Sequence, residues 1–317
     1  MKRRDVIAVL GSCILTTPIA SLGQQTKPPR LGFLRVGPPP ASYIGGFREG
    51  LNEQGLREGR DFVIEYALAQ SAAQIAETAV QLARSQPDII VAAGTPSVFP
   101  ARDAAGLIPV VFVATFDPVS AGLVPSLARP GGNVTGLTTI SGDLIAKRLE
   151  LVKEFFPNFT KIAILVRETS PTAPHYIQES RAAAEKLKLE LQVLTEHQPG
   201  DFDQLVVTAR NFDALVLGDD TEFTAFRKQI AELAIKNKVP TIHGLREMVD
   251  AGGLIAYGAS FHDLYRRAAS QGKKILQGTK PGDLPIEQAS KFEFVVNMRT
   301  AQAIGLQLPR GNRISMG

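Results

Sequence analysis

The sequence has no tryptophan, five tyrosines and a single cysteine, Cys13, close to its start. If the first residues are a removed leader, the mature chain has no cysteine. That excludes disulfides, thiol nucleophiles and cysteine-ligated metals. The four histidines, His175, His197, His243 and His262, are scattered, and no pair stands four residues apart in the manner of a helical zinc site. No GxGxxG follows a strand pattern, no GxxxxGK[ST] loop is present, and no G-x-S-x-G elbow occurs. No cofactor or metal is therefore expected, and no nucleophile–base set can be named for catalysis. No apolar run reaches the twenty or so residues of a membrane span. No block of like charge follows the first few residues. The net charge of +4 is small, and half of it sits in residues 2–5. A nucleic-acid partner is not expected.

What the N-terminus does have is an export pattern. Lys2, Arg3 and Arg4 precede a mostly apolar stretch over residues 6–19, and Ser21 and Gly23 place small residues before Gln24. This is the grammar of a secretory signal peptide over residues 1–23, with the mature protein in the periplasm. Arg3 and Arg4 leave the Sec and twin-arginine routes both open. Cys13 loosely fits a lipoprotein box, but few apolar residues precede it, and a discarded leader residue is the preferred reading. Residues 24–29 read as a polar tether.

Strand and helix patterns then alternate. Short apolar runs at 31–36 (LGFLRV), 62–67, 88–93 and 110–114 read as strands, with helical spacing at 42–54, 72–85 and 95–105. The pattern restarts with strands at 161–166, 189–194, 214–218, 239–243 and 253–257. Helices are expected at 173–187, 201–210, 221–236 and 261–276. Strands alternating with helices of 10–15 residues predict parallel βαβ sheets. Two such runs, parted near 130–141, predict an α/β protein of two doubly wound lobes joined by a hinge. In such sheets ligands bind at the carboxyl ends of the strands. Two facing lobes thus place their loops around one cleft.

The candidate site follows from those strand ends. Thr95 and Ser97 open a helix after Gly94 and offer hydroxyls beside a positive helix end, suited to an anion or to simple capping. Phe116 and Asp117 follow the 110–114 strand, and Asp219-Asp220 follows 214–218. Asp117 and Asp220 suit a ligand ammonium or a helix cap. Phe116, Phe223 and Tyr257 offer faces to an apolar ligand or fill the core. Ser42 and Tyr43 close the near side or merely open a helix. Arg167 and Glu168 are candidates for specificity.

Several segments resemble the ABC-transporter substrate-binding proteins whose better-understood relatives bind aromatic amino acids such as tryptophan. They are Asp117-Pro118-Val119 through Pro130-Gly131-Gly132-Asn133-Val134-Thr135-Gly136-Leu137, Tyr257-Gly258, Arg266-Arg267-Ala268-Ala269, 274–281 (KILQGTKP), and 292–297 (FEFVVN) with Thr300-Ala301. The resemblance covers nearly the whole mature chain. It implies a type I periplasmic-binding-protein fold with three chain crossings. It assigns 30–139 plus 259–285 to an N-terminal lobe and 140–258 plus 286–317 to a C-terminal lobe. It also implies a receptor that passes a small solute to the permease of an importer, with no membrane insertion of its own and acting as a monomer. An amino acid or small aromatic carboxylate leads, with nucleosides and other small polar solutes open. Such proteins often carry an Asn-Pro turn where this chain has Arg167-Glu168-Thr169-Ser170-Pro171, a loop expected to line the cleft. The tail 311–317 is also atypical. A two-domain enzyme and the sensing domain of a regulator are the rival readings. The second would need a DNA-reading head, and only the leader and tether precede the first strand.

Overall fold

The computed structural model describes residues 27–307, apart from 115, 140, 141 and 199, together with 315–316. The expected leader lies outside the described residues.

The first sheet is built from β1 (Arg30–Val36), β2 (Val63–Ala69), β3 (Ile89–Ala93), β4 (Val110–Ala114) and β5 (Val134–Thr138). Helices α1 (Ala41–Glu53), α2 (Ile75–Arg84) and α3 (Thr95–Ala105) connect its strands. All pairings are parallel. β3 and β4 are buried throughout, as strands covered on both faces must be. This is why their runs are apolar without alternation. β5 lies inside the 130–141 stretch expected to part the lobes. Its VTGLT run is short and rich in small and polar residues, and it becomes a strand by pairing with β4.

The chain then crosses to a second sheet. Here α4 (Gly142–Phe155), β6 (Lys161–Arg167), α5 (Ala173–Leu187), β7 (Glu190–Glu196), α6 (Phe202–Ala209) and β8 (Ala214–Leu217) follow in turn. The helix expected over 221–236 is two helices, α7 (Thr221–Ala225) and α8 (Arg227–Asn237), broken at Phe226. β9 (Thr241–His243), α9 (Arg246–Asp250) and β10 (Ile255–Ala259) complete this pass. α10 (Phe261–Leu276) returns to the first lobe and packs along α1. A Cβ on Gly50 would stand 2.1 Å from the Arg266 carbonyl oxygen, so only glycine lets the two backbones approach this closely.

The last crossing differs from expectation. β11 (Glu287–Gln288) pairs with β5 in the first sheet, beyond the expected return at 285. β12 (Phe292–Val296) then joins β10 antiparallel in the second sheet, followed by α11 (Met298–Ile304) and β13 (Ser315–Met316). The crossing therefore falls within 289–291. Strand order is β11-β5-β4-β3-β1-β2 in one sheet and β13-β12-β10-β9-β8-β6-β7 in the other.

The lobes are in contact. One apolar cluster runs from Leu31, Phe33 and Tyr43 through Phe261 and Tyr265 to Leu245 and Phe223 of the second lobe. Burying a large apolar side chain contributes roughly 1.5–3 kcal/mol, so this shared cluster favours the closed arrangement. No described helix is long and apolar enough to cross a membrane.

Candidate functional site

The loops after β3, β4, β6 and β8 converge between the lobes, at the carboxyl ends of parallel strands. They enclose a cavity of about 360 Å³. Thr95, Phe99, Phe116, Asp117, Ser120 and Ala121 form one wall, and Ile145, Pro171, Thr172, His175, Tyr176 and Asp219 the other. The volume is at the small end of the range for ligand sites, about 300–1,000 Å³. The aromatic faces lie on both walls, with a few polar groups between them.

Gly94 fixes the geometry of the first wall. Its φ of +92° is accessible to glycine, and a Cβ there would lie 2.3 Å from Thr221 Oγ1 of the opposite lobe. Gly94 is the cap residue of α3 and has no side chain with which to cap it. The start of α3 is thus left to interact with whatever occupies the cleft. Thr95 lines the cavity as expected. Ser97 does not: it is wholly buried and its hydroxyl donates to the Ala93 carbonyl at 3.3 Å, a turn-internal bond. Phe116 lines the cavity and packs on Phe99 and Phe112 at ring distances of 6.1 and 5.9 Å.

Asp117 both lines the cavity and closes its own turn. Oδ1 accepts from the Val119 and Ser120 backbone N–H groups at 2.9 and 3.2 Å, and Oδ2 accepts from Ser120 Oγ at 2.7 Å. The Ser120 hydrogen bond, with these backbone donors, holds its carboxyl below the ordinary range, so it is ionised.

On the second lobe the two aspartates turn in different directions. Asp219 lines the cavity, and its Oδ2 meets Nη2 of the buried Arg148 at 2.6 Å. Arg148 also donates from Nε to the Tyr257 carbonyl at 2.8 Å. The Tyr257 side chain is not among the cavity walls; its contribution here is that carbonyl. Asp220 is buried away from the main cavity. Its Oδ1 caps α7 by accepting from Glu222 N at 2.8 Å, and its Oδ2 pairs with Arg167 Nη2 at 3.1 Å. A ligand ammonium expected at Asp220 would find that charge already matched. The neighbour one residue earlier faces the cleft because the chain turns into α7 between them.

Arg167 is likewise buried, paired to Asp220 and to Glu222 at 3.1 Å, rather than exposed on a specificity loop. Glu168 points outward and pairs with His197 at 2.9 Å. From that divergent loop it is Pro171, with the adjoining Thr172, that reaches the cavity. Phe223 is core, edge-on to Phe202 at 5.9 Å. Ser42 spans the lobes, its hydroxyl donating to Glu247 Oε1 at 2.7 Å. Tyr43 is stacked on Tyr265 and Phe261 at 4.8 and 5.2 Å and borders a smaller space beside the cavity.

Sequence reasoning missed Phe99, His175, Tyr176, Arg148 and Arg35. Phe99 lies one turn into α3, at the spacing that returns a side chain to the helix start, and His175 lies within the first turn of α5; both helices were already expected. That signal was available. Tyr176 is buried with its hydroxyl donating to the Leu217 carbonyl at 3.0 Å. Burial raises its pKa well above the usual phenol value, so it is a neutral donor. No group of three or more metal-ligating side chains is found among the described residues.

Two parallel-sheet α/β lobes, three crossings and one cavity between the strand ends define a solute-binding protein of the type I periplasmic architecture. The chain belongs to the ABC transporter substrate binding protein family, whose model matches residues 37–314. It is 28% identical over 264 residues to a tyrosine-binding protein of Clostridioides difficile (strain R20291), covering 83% of this chain and 76% of that protein. Among solved structures, an ABC domain from Streptococcus pneumoniae in complex with L-Trp superimposes with a TM-score of 0.80 at 26% identity. That match covers 89% of this chain and 96% of that one. The ligand-free, open structure of a substrate-binding protein with adhesive properties from Clostridium difficile gives only 0.64 at 25% identity, over 91% and 99%. This chain is a receptor that captures a small solute between its lobes.

Proposed function

We propose that the solute is an aromatic amino acid, presented to an ABC importer from the extracytoplasmic side by a monomeric receptor that does not transform it. One observation carries the reading: the interlobe cavity of about 360 Å³ sets Phe99, Phe116 and Tyr176 around a space edged by Thr95, Asp117 and Asp219. Aromatic walls favour a ring by burial and offset stacking, while the α3 start and the carboxylates suit the two charges of a zwitterion. The likeness to a tyrosine-binding protein and to an L-Trp complex supports the same class of solute. The export grammar of the first 23 residues supports an extracytoplasmic location.

The test is a thermal-shift and calorimetry series on the mature chain with L-tyrosine, L-tryptophan, L-phenylalanine, L-leucine and L-glutamate. An aromatic amino acid at 100 times its dissociation constant should stabilise the fold by about 2.7 kcal/mol, and should be recovered unchanged. Preference for leucine or glutamate would overturn the aromatic assignment, and conversion of the bound solute would overturn the receptor reading.

A further inference from the structure

Arg148 and Arg167, buried at the second lobe's face of the cleft, each have a carboxylate partner. Arg35, at the cleft end of β1 in the first lobe, does not. It is 2% exposed, its Nη1 donates to the Val36 carbonyl at 2.9 Å, and its Nε has no partner among the described residues. Its guanidinium lies 5.6 Å from the centre of the Tyr43 ring, a cation–π contact, and no carboxylate among the described residues comes within ion-pair distance of it. A guanidinium cannot shed its proton to escape burial. Burial opposes the charge most and Arg227 from the opposite lobe adds to that, while Glu247, also of the opposite lobe, favours it from beyond ion-pair distance. A buried charge without a directly paired counter-charge is a costly arrangement, and it needs an explanation.

Beside Arg35 is a space of about 20 Å³, bounded also by Gly94, Thr95, Thr221 and Tyr265, and by Asp219 and Asp220, whose charges are matched by Arg148 and Arg167. Thr95 and Asp219 border both this space and the larger cavity, so the two compartments adjoin. The small one takes a single water-sized group. It admits a carboxylate oxygen and excludes a ring. α3, eleven residues long, begins there with no side-chain cap, and its positive end faces the same point.

We propose that Arg35 and the start of α3 form an anion subsite, which takes the carboxylate of a solute whose apolar part fills the larger cavity. This rests on the receptor reading above and deepens it by naming the group recognised. It also couples occupancy to closure. Asp219, Thr221 and Leu245 of the second lobe complete the small compartment, so the anion is enclosed only when the lobes meet. The counter-charge it brings then favours the closed state over the open one.

The experiment is calorimetry of the mature parent and of Arg35→Gln and Arg35→Lys, with L-tyrosine, L-tryptophan and L-leucine and their decarboxylated counterparts tyramine, tryptamine and isoamylamine. The parent should bind the amino acid and reject its amine. Arg35→Gln should bind it at least about 30-fold more weakly, the size expected when one partner of an enclosed charge pair is lost, and Arg35→Lys should recover part of the loss. Circular dichroism confirms that the variants are folded, and the parent's preference for acid over amine needs no variant. If leucine rather than an aromatic residue binds in an Arg35-dependent way, the aromatic assignment falls and the anion subsite stands. Equal binding of acid and amine by the parent, or a folded Arg35→Gln that binds like the parent, overturns the subsite. Failure of all three acids to bind overturns both.

Discussion

On the second lobe the buried carboxylates near the cleft meet arginines: Asp219 with Arg148, and Asp220 and Glu222 with Arg167. On the first lobe Asp117 is satisfied by backbone and hydroxyl dipoles, and Arg35 has no carboxylate within ion-pair distance among the described residues. The contrast shows how a two-lobed receptor can divide its work. A wall whose charges are internally matched keeps its shape whether or not a ligand is present, because each ion pair fixes its own geometry. A wall with one unmatched charge leaves part of the closed state's stabilisation to the ligand.

The largest test of that contrast acts on the matched wall. Arg148→Leu leaves Asp219 without its buried partner, and breaking such a pair costs about 3–5 kcal/mol. Urea denaturation should show a loss of that order, and Arg148→Leu combined with Asp219→Leu should recover most of it. A single variant as stable as the parent would mean that the pair is not what shapes this wall.

A smaller effect is expected where the walls touch. Gly94→Ala adds a methyl at φ +92°, 2.3 Å from Thr221 Oγ1. The backbone strain of about 1–3 kcal/mol comes with a clash that exists only when the lobes are shut. Affinity should fall roughly tenfold or more, and X-ray scattering of the ligand-saturated variant should show a larger radius of gyration than the parent. Thr221→Ala in the same chain should relieve the clash but not the strain. Unchanged affinity and radius would show that closure does not bring these residues together.

The mildest effect belongs to Glu196, at the end of β7 behind the matched wall. Burial pushes its carboxyl up to about 7 from an ordinary 4.5, and the Gly200 N–H, donating to it at 3.1 Å, offsets only part of that. The folded protein therefore holds a proton on Glu196 that the unfolded chain has released. Its contribution to stability is fully present below about pH 4.5 and is lost as pH rises to about 7. Glu196→Gln should flatten this part of the dependence, so that the variant gains in melting temperature relative to the parent between pH 5 and 7.5. The same slope in both proteins would assign it to other carboxylates.

The legibility of the site divides along similar lines. Thr95, Phe116 and Asp117 follow strand ends directly, and they line the cavity. Asp220 and Arg167 were equally plausible by position, yet each consumes the other's charge across 53 residues of chain. Nothing in local sequence announces that pairing. Arg35 sits within the apolar run of β1, where an arginine is an oddity whose partner, or lack of one, is decided by another lobe.

By itself the sequence determined the alternation of strands and helices and the location of most strand ends, because periodicity and breaker residues act within a few positions of the chain. The small strands β5 and β11, the break at Phe226 and the last crossing point were settled by tertiary structure, since short polar segments become strands only where a neighbouring edge accepts their hydrogen bonds. Tertiary structure also decided which of two adjacent aspartates faces the cleft, which arginines are matched, and that one is not. Those outcomes depend on what each side chain meets from segments distant in sequence, in its own lobe or the opposite one, through Coulomb and steric forces that act over a few ångströms of space whatever the separation in sequence.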